Sequence, residues 1–135
     1  DVAKRARSAG YVGRTISLGL SYSQAAMTKG FYRSKTIEEP TNDTMTLYAV
    51  CKELLDTHFV GEPARQLSVR LSNVEQAHSI QLDLFDTDKE KRQTLAHTVD
   101  TIRDKFGATA VLRAASYTEA GTALERNRLV GGHLA

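Results

Sequence analysis

The side chains with the most reactive chemistry in this chain are scattered. Four histidines stand at His58, His78, His97 and His133, and there is one cysteine, Cys51. No two of them have the spacing of a metal-ligand pair, so no zinc site is expected. Cys51 falls on the apolar side of a helical pattern, and no His–Asp pair accompanies it. It reads as a small core residue rather than a nucleophile. A stand-alone hydrolase would need a nucleophile and a base in one pocket, and the sequence offers neither. The residues that remain suit binding. Thr15, Ser17, Gly19 and Ser21 recur at every second position, as do Gln66, Ser68, Arg70 and Ser72. Hydroxyls with Arg and no acids suit contact with phosphate without base reading. A merely solvated sheet face is the competing reading. The pentapeptide Gln81-Leu82-Asp83-Leu84-Phe85 is the other notable feature. Its apolar side chains, set in a polar linker, suit either a partner's pocket or the chain's own helices.

The elements that position these residues follow from periodicity. Asp1 can cap a short helix over Val2–Ser8, with Gly10 ending it. From Thr15, Ile16, Leu18, Leu20 and Tyr22 alternate with the polar set, which makes a half-buried strand. Lys29–Glu39 is a second strand candidate, and Pro40–Asp43 breaks it. Thr44–Phe59 is an amphipathic helix, ended by Gly61 and Pro63. Leu67, Val69 and Leu71 face one way along a third strand. Two helices covering one face of this sheet give an α+β fold. Beyond a linker, EQAHSI, a helix is expected over Lys89–Phe106, with Leu95, Val99, Ile102 and Phe106 as a core-facing stripe. Thr109–Ser116 is a short strand candidate, and the tail beyond it reads as partly ordered. The expected division is 1–80 for the sheet domain and 81–135 for the pentapeptide and a C-terminal extension.

The 135 residues carry a net charge of only +2, unevenly spread. Residues 1–36 hold seven basic side chains against one acidic, +6. Residues 37–90 hold four against eleven, −7, and residues 91–135 hold seven against four, +3. One face is therefore expected to attract polyanions, against the plainer reading of chance clustering. No apolar run is long enough to span a membrane. A single cysteine suits a reducing compartment, the cytoplasm. The opening, DVAKRARSAG, has neither Met nor the apolar middle of a signal peptide, and it reads as a cut made inside a larger protein.

GRTISLGLSYS, then KGFYRSKTI, then an acid-capped helix, then RQLSVRLSNV resembles the little-finger domain of Y-family translesion DNA polymerases. The UmuC/UvrX-like UV-damage-repair branch is the most similar. The clamp motif, a helix ending in FG at Gly107, a strand at Ala110–Ala115, and Gly131, Gly132 and His133 complete the pattern. The resemblance implies a non-catalytic domain of a damage-inducible polymerase that grips primer–template duplex during lesion bypass. Carried over by position, the DNA contacts are Arg14, Thr15, Ser17, Lys29, Arg33, Ser34, Lys35, Thr36 and Arg70, with Ser72 beside them. It also implies a bacterial sliding clamp (the beta subunit of DNA polymerase III) as partner, held by Gln81, Leu82, Leu84 and Phe85. No cofactor or metal is expected here, because polymerase carboxylates belong to a palm domain. The family's first strand is missing, so an exposed sheet edge is expected at about Ala64–Val74. Ala110–Ala115, a neighbouring chain, or nothing would fill it. The alternative is a non-polymerase interaction module that binds the clamp or a repair scaffold without touching DNA. It would let Arg14, Arg33 and Lys35 scatter, whereas a DNA grip needs them on one surface.

Overall fold

Ile16, Leu18, Leu20 and Tyr22 lie on one side of a strand, and burying that side organises the N-terminal half. The computed structural model describes residues 1–23, 26–77, 87–130 and 133–134. The chain divides into two units, Asp1–Asp86 and Thr87–Ala135. In the first, the order is α1 (Val2–Ser8), β1 (Tyr11–Tyr22), β2 (Phe31–Thr41), α2 (Thr44–His58) and β3 (Ala64–Gln76). The strands form one antiparallel sheet in the order β2-β1-β3, so β1 is central. Ile16 is 0% and Leu18 1% exposed, and they pack with Ala3 of α1 and with Leu47, Val50 and Leu54 of α2. This is the α+β arrangement that the alternation and the helical spacing imply.

Local chemistry sets the ends of the elements. Asp1 stands at the N-cap of α1 without a side-chain capping bond; its carbonyl takes the Arg5 N–H. Gly10 turns the chain at φ +70°. Asp43 caps α2 by accepting from Thr46 N at 2.8 Å. Pro40 and Thr41 do not break the second strand, which runs on to Thr41 through a register shift against Gly13/Thr15. Such irregularities tolerate Pro near a strand end. β3 likewise takes in Glu75 and Gln76 from the expected linker, and Ala77 N donates to Gly10 O.

β3 is an edge strand: among the described residues, its only partner is β1. The N-terminal residues form α1, and no strand comes from them. Nor does Thr109–Ser116 fill the edge. That segment is a turn followed by a 3-10 helix at Ala114–Tyr117, which corrects the strand expectation. Its carbonyls are drawn into local bonds instead: Arg103 Nε and Nη2 both donate to Val111 O, at 2.9 and 2.7 Å.

In the second unit, α3 spans Thr87–Phe106 and stops at Gly107, φ +99°. A four-residue helix, α4 (Ala123–Arg126), and a two-stranded ribbon, β4 (Leu129–Val130) with β5 (His133–Leu134), follow. The stripe on α3 is not the buried core the spacing suggested. Leu95 is 64% and Phe106 68% exposed, while Val99 and Ile102 are half-buried.

Candidate nucleic-acid interface

Directly opposed residues in an antiparallel sheet share a face, so the register assigns each side chain to a side. On the face away from α1 and α2, three rows cross the sheet. Thr36, Thr15 and Ser72 form the first; Ser34, Ser17 and Arg70 the second; Tyr32, Gly19 and Ser68 the third. No carboxylate occurs in these rows. Hydroxyls couple the strands. Thr15 Oγ1 lies 2.9 Å from Thr36 Oγ1, and Ser17 Oγ lies 3.0 Å from Ser34 Oγ. Ser68 Oγ donates to Gly19 O at 3.5 Å, and Ser72 Oγ to Thr15 O at 3.4 Å. Ser17 is only 3% exposed, so its hydroxyl is sheltered by its neighbours, while Ser34 beside it is open to solvent.

Gly19 keeps the third row shallow. A Cβ there would come 2.5 Å from Ser68 Oγ and 3.0 Å from the Tyr32 ring. A strand glycine of this kind lets another backbone approach closely. Arg70 is the one cation in the rows, it is exposed, and among the described residues no carboxylate pairs with it.

The other basic residues named from sequence are distributed differently. Lys35 is opposite the buried Ile16 and Arg33 opposite the buried Leu18, so both lie on the helix-covered face. Lys35 Nζ pairs with Glu53 of α2 at 2.6 Å, and Arg33 Nη1 donates to Tyr32 O. Phe31, on that same face, stacks on His58 with ring centroids 5.6 Å apart. The stretch Lys29–Thr36 is thus not one surface: Ser34 and Thr36 face one way, Arg33 and Lys35 the other. Arg14 sits at the register shift, where Nη1 donates to Glu38 O and Nη2 is 4.0 Å from Glu75 Oε1. Arg14 lies four residues along β1 from the partner of Arg33, about 13 Å at strand spacing. The three cations therefore do not make the single cluster expected of them. Lys29 is exposed and precedes β2. Gln81, Leu82, Leu84 and Phe85 lie outside the described residues, as do Gly131 and Gly132.

Ser68 lies where the alternation put it, beside Arg70, but two other residues of the polar face escaped the sequence reading. Tyr32 shares the parity of Ser34 and Thr36. Asn73, with Nδ2 2.8 Å from Thr15 Oγ1, is legible only from its backbone, φ 51°. Elsewhere, Cys51 is half-buried against the core, and burial pushes its thiol pKa up. Among the described residues no three His, Cys, Asp or Glu side chains group where a metal ion could be held, and no helix is long and apolar enough to cross a membrane.

Comparison with known proteins identifies the family. The C-terminal domain of the impB/mucB/samB family matches residues 1–84. The chain is 51% identical over 133 residues to the putative UV-damage repair protein UvrX of Bacillus subtilis (strain 168), covering 98% of this chain and 32% of that protein. It is 39% identical over 133 residues to DNA polymerase IV 2 of the same organism, with the same coverage of each. It is 36% identical over 126 residues to DNA polymerase IV of Pelotomaculum thermopropionicum, covering 93% of this chain and 30% of that protein. The chain thus spans about a third of the length of these relatives. With the three-stranded sheet, its two covering helices and this extent of likeness, the chain belongs to the impB/mucB/samB family of Y-family DNA polymerases and repair proteins and carries that family's C-terminal domain.

Proposed function

We propose that this chain is the non-catalytic DNA-gripping domain of a damage-inducible translesion DNA polymerase. Its sheet face holds the backbone of primer–template duplex, and Gln81–Phe85 docks the polymerase on the sliding clamp. The observation that carries the DNA reading is the acid-free face of Thr15, Ser17, Ser34, Thr36, Ser68 and Ser72 around an exposed Arg70. Hydroxyls and a guanidinium can bond phosphate oxygens of any sequence, which suits a duplex of varied and damaged bases. Membership of the family supports the same reading. The likeness to proteins named DNA polymerase IV supports a polymerase as the parent.

One observation favours a second reading, an interaction module that does not touch DNA. Lys35 lies on the opposite face, tied to Glu53, and Arg14 lies beside Glu75, so Arg70 is the one cation that the rows contain. Titration of a labelled primer–template with the 135-residue chain at several salt concentrations separates the two. For a DNA grip, Arg70→Ala weakens binding several-fold and lowers the salt slope by about 0.9, the contribution of one neutralised duplex phosphate. Lys35→Ala, whose ammonium is already paired on the opposite face, binds close to the parent. No measurable binding by the parent at low salt decides for the second reading.

A further inference from the structure

β3 carries one side chain in a backbone conformation that L residues rarely adopt. Asn73 has φ 51°. Asn tolerates the left-handed region better than most residues, because its short polar side chain can bond nearby. Here it bonds across the sheet rather than locally: Nδ2 donates to Thr15 Oγ1 at 2.8 Å. Thr15 Oγ1 is in turn 2.9 Å from Thr36 Oγ1 on the far side of β1. Asn73, Thr15 and Thr36 thus form a line over all three strands on the acid-free face.

The donor inventory allows this line a direction. An amide NH2 only donates, and a threonine hydroxyl has one proton. When Thr15 Oγ1 accepts from Asn73, its own proton is available for Thr36 Oγ1. In that arrangement Thr36 accepts from Thr15 and has its own proton free to turn outward, where its side chain is exposed. Successive hydrogen bonds polarise one another in the same sense. Ser17 and Ser34 lack this bias: among the described residues no amide stands behind that pair.

We propose that Asn73 is a positioning residue that polarises the Thr15 and Thr36 hydroxyls, so that Thr36 presents its proton to a phosphate oxygen of the bound duplex. The proposal rests on the nucleic-acid reading of this face. A hydroxyl held ready to donate to an anion avoids the reorganisation that a freely rotating one undergoes, and bonds to ionised acceptors are the stronger kind. The strained conformation of Asn73 is what aims its amide at Thr15.

The test uses the 135-residue chain and a fluorescent primer–template, with dissociation constants measured over a range of salt. Asn73→Gly keeps a residue that accepts positive φ and removes the amide. Thr36→Val removes the terminal hydroxyl while keeping its shape. Each is expected to weaken binding by about tenfold or more, the effect of losing one hydrogen bond to a charged group, with the salt slope unchanged because no cation is lost. The double variant should be no weaker than either single variant, since both act on one relay. Parent-like binding by Asn73→Gly, or losses that multiply in the double variant, overturns the proposal. Arg70→Ala reports on the face separately. If it weakens binding and Asn73→Gly does not, the face binds DNA and the relay is wrong; if no variant has an effect, both readings fall. Where thermal melts show Asn73→Gly unfolded at the assay temperature, Thr15→Val interrupts the relay at its middle. It must then match the Thr36→Val loss, and parent-like binding by it overturns the proposal equally.

Discussion

At the scale of single residues, Leu18 and its neighbours on β1 separate structural from binding roles. Leu18 is fully enclosed between α2 and the sheet, and Ser17, one position earlier, belongs to the opposite surface. Truncating Leu18 to Ala leaves a cavity that the strand cannot collapse around. The expected cost is about 2–5 kcal/mol, read as a lower urea midpoint with an unchanged slope. The fate of the basic residues follows from the same alternation. Arg33 and Lys35 are separated by one residue, so they share a side, and Phe31 two positions earlier is drawn into the core on that side. Composition alone marks the segment as basic and hydroxyl-rich. It does not say that the basic half turns toward Glu53 while the hydroxyl half turns toward solvent.

At the scale of elements, α2 is the piece whose ends the local sequence specifies most completely. Asp43 accepts from both the backbone N–H and the hydroxyl of Thr46, at 2.8 and 2.9 Å. Asp43→Ala should therefore lower stability by about 1 kcal/mol, seen as a reduced urea midpoint, with the DNA face untouched. The edge of β3 was legible in outline, since three strands leave two edges and the third strand has no further partner in sequence. The segment around Ala110 was not. Thr109–Ser116 has strand-like composition, but the Arg103 guanidinium takes the Val111 carbonyl, and the chain turns into a 3-10 helix instead of a ladder. Periodicity likewise located α3 to within two residues. It could not tell that Leu95 and Phe106, at correct helical spacing, stand in solvent.

At the scale of the whole molecule, the chain is two units that meet in sequence at Asp86/Thr87, just after the pentapeptide. A clamp-docking peptide and a DNA face should be separable by substitution. Leu84→Ala/Phe85→Ala is expected to abolish binding to purified sliding clamp, with circular dichroism and primer–template affinity unchanged. If the double variant unfolds, those side chains belong to the chain's own core and the docking role is lost with them. The sequence by itself determined the elements of the first unit and the apolar side of β1, because periodicity and capping are local properties. The ordered set of motifs was likewise sufficient for the family. Only the tertiary structure decided which basic residues share the hydroxyl surface and which are drawn to α2. That choice depends on strand order and register, through residues as far apart as Ser17 and Arg70 or Lys35 and Glu53. The left-handed conformation at Asn73 was decided there too, because only the pairing of β3 with β1 gives its amide a partner on the neighbouring strand.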